Sequence, residues 1–451
     1  MNAIFFAIVF LSFLIAGYRQ ITVTPAAGNP TPMELLSTGM IESATGSVTL
    51  ALGLVGVMAL FLGLMKVAEA GGLLTVIARL LRPVMIRLFP EVPPDHPAMG
   101  AIIMNLSANV MGLGNAATPF GIRAMQELDK LNPHKGTATN AMALFLAINT
   151  SSITLLPTGV IALRASAGSN DPAGILPTTL FATVCSTAVA IVAAKLYSRI
   201  WPAGPAPTPK PNPVAADHPA PPPGDTPPDG ILASSGDASV DAAAISVAEG
   251  QAYPMWATML AIGCVLALIP LSILYGSAVS PWIIPGLMMV LLGFGAIRRV
   301  AIYEAFVEGA RDGFQVAIRI IPYLVAILVA VGMLRASGAM ELMITPLAKV
   351  TTLVGLPADA LPMALLRPFS GSGAYGYLSA IIQDPTIGPD SYTGYLVSTF
   401  QGSTETTFYV LAVYFGAVQI RRVRHALVAG LTADIAGIVA AVFICSLLFA
   451  G

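Results

Sequence analysis

Charge is what this chain has least of. Asp, Glu, Lys and Arg make up only 10% of its 451 residues, against roughly 25% in an ordinary soluble domain. With 56% hydrophobic residues and a mean hydropathy of +0.79, too little polar material remains to cover a water-facing surface. The chain is therefore predicted to be an all-α polytopic membrane protein, with the lipid bilayer as its first partner. A net charge of −1 gives no basic surface for nucleic acid.

Cysteine and histidine are nearly as scarce. Cys185, Cys264 and Cys445 each sit inside an apolar run and read as small packing residues, with no disulfide or metal spacing. His96, His134, His218 and His425 are scattered. The sequence contains no Ser/His/Asp set and no phosphate loop of the GxxxxGK type. The expectation is a protein that is not an enzyme, with no metal and no cofactor. The N-terminal stretch MNAIFFAIVFLSFLIAGYRQ lacks a basic region and a small-residue cleavage site, so it reads as a first span and not as a secretory signal.

What the chain does have is long apolar runs and proline. A bilayer core takes about 20 apolar residues of helix, which gives spans near 2–17, 45–65, 137–165, 174–199, 253–275, 281–297, 314–335, 394–418 and 425–449. Between the fourth and fifth lies PAGPAPTPKPNPVAADHPAPPPGDTPPDG and its continuation, which has neither apolar periodicity nor a core. Residues 202–252 are predicted to be a disordered, partly polyproline linker between a membrane half at 1–201 and another at 253–451.

The halves echo each other. Gly71 to Pro90 and Gly338 to Pro357 share a separation, and both stretches carry the spacing of an amphipathic helix at the membrane surface. Each follows an apolar span and precedes a short Gly-rich segment and then a span with a polar break. Basic residues follow the first span of half one (Arg79, Arg82, Arg87) but precede that of half two (Arg298, Arg299, Arg311). If basic loops stay in the cytoplasm, the two repeats enter in opposite directions, with the N-terminus inside a bacterial cytoplasmic (inner) membrane. That threading requires the segments near 98–118 and 361–382 to enter and leave on one face, as re-entrant hairpins. Inverted-topology repeats with interrupted helices mark transporters.

Four polar stretches interrupt the apolar pattern. Met104–Gly121 holds Asn105, Ser107, Asn109, Asn115 and Thr118 around Gly112 and Gly114; it reads either as a hairpin with an irregular tip or as a loop. Leu146–Gly159 places Asn149, Thr150, Ser151 and Ser152 before Pro157, either an unwound site or polar glue between helices. Leu365–Leu378 carries Arg367 beside Ser370 and Ser372, which suits a loop opening a half-helix whose free N–H groups can hold an anionic or carbonyl group. Phe400–Gly416 puts Gln401, Ser403, Thr404 and Glu405 at the middle of a span. An acid there costs roughly 2.5–3.5 kcal/mol, so it must be protonated, hydrated or paired, with Arg367 the nearest cation by the repeat. Asp434, in the last span, is a weaker case of the same kind.

GLGNAATPFGIRAMQELD with NTSSITLLPTG resembles spore maturation protein A, and RPFSGSGAYGYL with GSTETTFYVLAVYFG resembles spore maturation protein B. Both belong to the Gate, or nucleoside recognition, domain group, and this chain looks like a fusion of the two. The resemblance implies a helical transporter-like fold with re-entrant hairpins and interrupted helices. Nucleoside transporters of that group place polar and acidic residues on hairpin tips and unwound helices, for which Asn105, Asn109, Asn149, Ser370 and Glu405 are counterparts in kind. The reading is a secondary transporter of a small polar solute, nucleoside-like or a small organic anion, coupled to a proton or sodium ion and compatible with a homo-oligomer. The alternative is a non-transporting membrane scaffold or an envelope or spore-maturation factor.

Overall fold

The apolar runs form helices throughout. The computed structural model describes residues 2–22, 29–112, 114–151, 154–202, 252–340, 342, 351 and 355–449. The Pro-rich segment therefore lies almost wholly outside the described residues, as do Ser152 and most of the second amphipathic stretch at 338–357. Among the described residues there are α-helices and one 3-10 turn but no strand, and the only bridge joins Thr137 to Arg422.

Half one runs α1 (Asn2–Thr22), α2 (Pro32–Ala70), α3 (Leu73–Leu88), α4 (Pro97–Met111), α5 (Gly114–Lys130), α6 (Asn140–Ser151), α7 (Thr158–Ser166) and α8 (Leu176–Ile200). Half two runs α9 (Met255–Ile297), α10 (Ile302–Ala336), α11 (Leu361–Leu366), α12 (Gly371–Ile382), α13 (Tyr392–Ser403), α14 (Thr407–Ala417) and α15 (Ala426–Phe449). Phe5–Thr22, Pro32–Ala70, Leu176–Ile200 and Ala426–Phe449 are each long and apolar enough to cross a membrane. The order of α2 and α4–α8 in half one matches that of α10–α15 in half two: a long helix, a hairpin, a broken helix and a final long helix.

The two expected spans at 253–275 and 281–297 correspond to the apolar stretches Met255–Leu271 and Trp282–Ile297 of helix α9 (Met255–Ile297). Both ends of α9 reach the same neighbourhood, since Thr258 Oγ1 donates to Leu80 O of α3 (2.9 Å) and a Cβ on Gly71, just before α3, would meet the Phe294 ring at 2.9 Å. A straight helix from 258 to 294 would be about 54 Å long, so the segment bends back between its two stretches. Two boundaries differ from the sequence reading. The long helix α2 starts at Pro32 and not near residue 45, because Thr31 and Glu34 form a reciprocal capping box that satisfies its first amides. Finally, Asn105, Ser107 and Asn109 lie on the regular helix α4 and not on irregular backbone; the chain turns only at Gly112. That glycine is left-handed (φ 77°), and a Cβ there would meet Leu156 O at 2.5 Å, so the turn and its close approach both require glycine.

The first long helices of the two halves, α2 and α10, pack along most of their length. The seam is made of small residues. A Cβ on Gly309 would lie 2.5 Å from Leu62 O, and one on Gly313 would lie 2.7 Å from the Ala59 backbone. Helices surrounded by lipid gain nothing from burying apolar surface alone, so close backbone approach is what holds them together. The last long helices, α8 and α15, also pack on each other.

Candidate functional site

Each half contributes one helix that stops midway and restarts. α6 and α13 are both 12 residues long, and both end in an amide, a gap and a serine: Asn149-Thr150-Ser151 and Gln401-Gly402-Ser403. The free groups left where helices end must find partners, and here they find each other. Glu405 N–H donates to Thr150 O at 2.8 Å, so the two breaks cross. Their outer ends fix the direction. The loop before α6 bonds to the loop after α14: Ala138 N–H donates to Arg422 O (3.0 Å), and Arg421 N–H donates to Gly136 O (2.9 Å). The far end of α7 meets the start of α13, where Arg164 donates to Pro389 O (2.6 Å) and Asp390 Oδ1 (3.1 Å). The broken helices therefore run antiparallel, touching at both ends and at the middle.

Each hairpin tip closes on its own half's break. Leu155 N–H donates to Val110 O (3.1 Å) at the α4–α5 tip, and Phe408 N–H donates to Pro368 O (3.1 Å) at the α11–α12 tip. Arg367, between α11 and α12, is 4% exposed and spends most of its donors on the second break. Nη1 donates to Thr406 Oγ1 (3.0 Å), and Nη2 to Gln401 O (3.3 Å) and Thr404 O. Its distance to Glu405 is 3.7 Å, longer than a charge-assisted hydrogen bond. Glu405 is 49% exposed, while Ser403, Thr404, Thr406 and Thr407 around it are buried. The break thus presents one open carboxylate, with its cation held to the backbone behind it.

The other expected site residues divide into two groups. Asn109 Nδ2 donates to Asn149 Oδ1 (3.0 Å), and Asn105 Nδ2 donates to Ala117 O (2.7 Å) and Tyr414 OH (3.2 Å). These amides join α4 to α5, α6 and α14, which is why α4 stays helical with amides on it. Ser151 meets Thr187 of α8 at 2.9 Å. Ser107 only returns a bond to Ile103 O (2.7 Å), so it packs its own helix and does not face the crossing. Ser370 caps α12 by accepting from Gly373 N–H (2.9 Å), with Ser372 3.4 Å away, and the capped end adjoins Arg367. Asn115 lies on α5; its side chain is outside the described residues. Gln401 Oε1 and Ser403 Oγ are buried and have no partner among the described residues.

Two features escape a reading by sequence motifs. Arg164 of α7 is fully buried. Besides Pro389 and Asp390 it donates to Ser169 Oγ (3.2 Å), Asp171 O (3.2 Å) and Ser398 Oγ (3.4 Å), and it stacks on Tyr395 at 4.2 Å. Nearby, partial burial pushes the Asp384 carboxyl up, but hydrogen bonds from Thr386 and the Arg335 guanidinium outweigh it and hold it below the usual carboxylate range. The second feature is a small pocket behind the second break, lined by Arg367, Pro368, Phe400, Ser403, Thr404 and Asp434. Thr407 Oγ1 donates to Asp434 Oδ2 at 2.6 Å. The signal for the crossing was in the sequence, as the repeated amide-gap-serine ending. Nothing local marks Arg164, whose partners on Pro389 and Asp390 lie more than 200 residues away.

An all-helical polytopic membrane protein with crossed broken helices and paired hairpins is the class these features define. The chain belongs to the Gate family, described as nucleoside recognition, whose model matches residues 51–167 and 317–421. It is similar to spore maturation protein A of Bacillus subtilis (strain 168), 46% identical over 160 residues covering 36% of this chain and 82% of the relative. It is also similar to spore maturation protein B of the same organism, 46% identical over 172 residues covering 38% of this chain and 93% of the relative. No solved structure matches.

Proposed function

We propose that this chain is a secondary transporter of a small polar solute, with its site where the two broken helices cross, and not an enzyme. The halves are read as inverted-topology repeats, and the antiparallel course of α6–α7 and α13–α14 supports that. One observation carries the reading. Glu405 sits on irregular backbone in the middle of an otherwise buried bundle, with its carboxylate half open. Irregular backbone at membrane depth is tolerated where it is covered by protein or lines a watery cavity, and an intramembrane acid marks a pathway for ions or substrate. Asn109, Asn149 and Gln401 supply further polar groups around the breaks. A neutral or cationic solute fits better than an organic anion, because the donors of Arg367 are largely taken by Thr404, Gln401 and Thr406.

The proposed setting is a bacterial cytoplasmic membrane with the N-terminus inside. Arg19, Arg164 and Arg335, at the ends this threading places outside, are each bound to a carbonyl or a carboxylate. A coupling proton or sodium ion belongs to the same proposal, and a homo-oligomer is compatible with it. The test is thermal unfolding of the purified protein against nucleosides, amines, organic acids and divalent metals, on wild type and Glu405→Gln. A ligand at about 100 times its dissociation constant adds roughly 2.7 kcal/mol. A stabilising ligand whose effect vanishes in Glu405→Gln is the expected result. Stabilisation by none of these probes favours the second reading, a non-transporting scaffold, for which the stapling of the break by Arg367 is the supporting observation.

A further inference from the structure

Behind the crossing lies a titratable group that the open carboxylate of Glu405 does not account for. Asp434 on α15 is 3% exposed and lines the small pocket with Arg367 and Ser403. One of its oxygens, Oδ2, accepts from Thr407. The other, Oδ1, has no partner among the described residues; nor do Ser403 Oγ, 1% exposed, and Arg367 Nε, both buried on the same pocket. Buried polar atoms ordinarily find partners, and here three without one belong to residues that line a single pocket.

The charges around Asp434 are few. The hairpin contributes Arg367, and the break contributes Glu405. Helices α6, α8, α13 and α14 also pack on α15. Of these, α6 carries no titratable residue; α13 brings Tyr392 and Tyr395, α14 brings Tyr409 and Tyr414, and α8 brings Cys185 at mid-length with Lys195, Tyr197 and Arg199 toward its end. Two carboxyl groups thus share one guanidinium. That guanidinium is tied to backbone carbonyls and reaches Glu405 at 3.7 Å. A second full negative charge in the chamber has no cation of its own, and uncompensated buried charge is what membrane interiors tolerate least.

We propose that Asp434 is the proton-carrying group of this protein, holding a proton on Oδ1 and passing it through the pocket beside Ser403. On release the O–H bond of Oδ1 breaks, the proton leaves to water entering the pocket, and the electron pair stays on a carboxylate facing Arg367 Nε. Uptake is the reverse. The chamber alternates between no net charge and one negative charge, counting Arg367 and Glu405 as ionised. The use of that proton for coupling rests on the transporter reading, but its presence on Asp434 does not.

The test is infrared spectroscopy of the purified full-length protein in lipid, comparing neutral with alkaline pH and light with heavy water. Wild type is expected to show a protonated-carboxyl carbonyl band that shifts in heavy water and disappears as pH rises. Asp434→Asn is expected to lose the band, and Glu405→Gln to lose it at a lower pH than wild type, because the guanidinium freed by that change favours the Asp434 carboxylate. Thr407→Val, which removes the hydrogen bond to Oδ2, is expected to shift its frequency, and this decides the assignment if Asp434→Asn does not fold. A wild-type spectrum without the band, a band surviving in Asp434→Asn, or a band in Glu405→Gln that persists to higher pH than in wild type overturns the proposal. So does a frequency unmoved in Thr407→Val. No solute enters these spectra, so failure of the transporter reading leaves the band in place, and absence of the band leaves ligand stabilisation free to appear.

Discussion

Arg164→Ala is expected to lower the stability of the protein by about 4 kcal/mol. The side chain is fully buried and ties the end of α7 to the loop before α13 through five hydrogen-bond partners and the face of Tyr395. Removing it strips carbonyls at Pro389 and Asp171 of their donor, and each unsatisfied buried group costs on the order of 1–3 kcal/mol. Asp390 is 29% exposed, so it can turn to water, which keeps the loss from being larger. Arg164→Lys is expected to recover little, because one ammonium cannot reach both loops and also stack on a ring. Asp390→Asn is expected to cost much less than Arg164→Ala, since an amide oxygen still accepts. Unfolding of the three variants in lipid nanodiscs orders them, and a loss of under about 1 kcal/mol in Arg164→Ala contradicts the geometry.

Arg367→Leu is expected to cost about 3 kcal/mol, while Glu405→Gln is expected to cost less than about 1 kcal/mol. The asymmetry follows from where each side chain sits. Arg367 is buried and donates to Thr404 O, Gln401 O and Thr406 Oγ1, so its removal unpins the second break. Glu405 is half exposed and 3.7 Å from the guanidinium, so its neutralisation breaks no close contact. If the two formed a locked structural pair, replacing both by leucine would restore what Arg367→Leu loses, as apolar substitutes for buried ion pairs often do. The break geometry predicts no rescue, because two backbone carbonyls and a hydroxyl are left without their donor and a second leucine supplies none. Denaturation of the two single variants and the double variant decides the matter, and recovery of wild-type stability in the double variant supports the scaffold.

Much of the fold was legible because membranes leave few options. Runs of apolar residues must become helices, and Gly112 and Ser370-Gly-Ser-Gly mark turns through backbone freedom and capping. The two hairpins and two broken helices fall where glycine, proline and hydroxyl residues interrupt those runs. What the sequence hid depends on partners that are remote along the chain. Asn105 and Asn109 look like irregular backbone until Tyr414 and Asn149 accept from their side-chain Nδ2 groups. Arg164, in the run IALRAS, carries no local mark, because its partners at Pro389 and Asp390 come from the other half of the chain. At the site, Arg367 and Glu405 were readable as the charged members, but the taking up of Arg367 by carbonyls was not, and that changes the solute class it favours.

A solute site at the crossing requires the open face of Glu405 to meet water and not lipid. The direct measurement replaces Cys185, Cys264 and Cys445 with alanine, introduces Glu405→Cys, and treats the reconstituted protein with thiol reagents. One reagent cannot cross the bilayer and is applied from each side in turn; the other is lipid-soluble. Reaction with the impermeant reagent from at least one side, at mid-bilayer depth, is the result this account predicts. Reaction with the lipid-soluble reagent alone would place the side chain against lipid and contradict a solute site at the crossing of the broken helices.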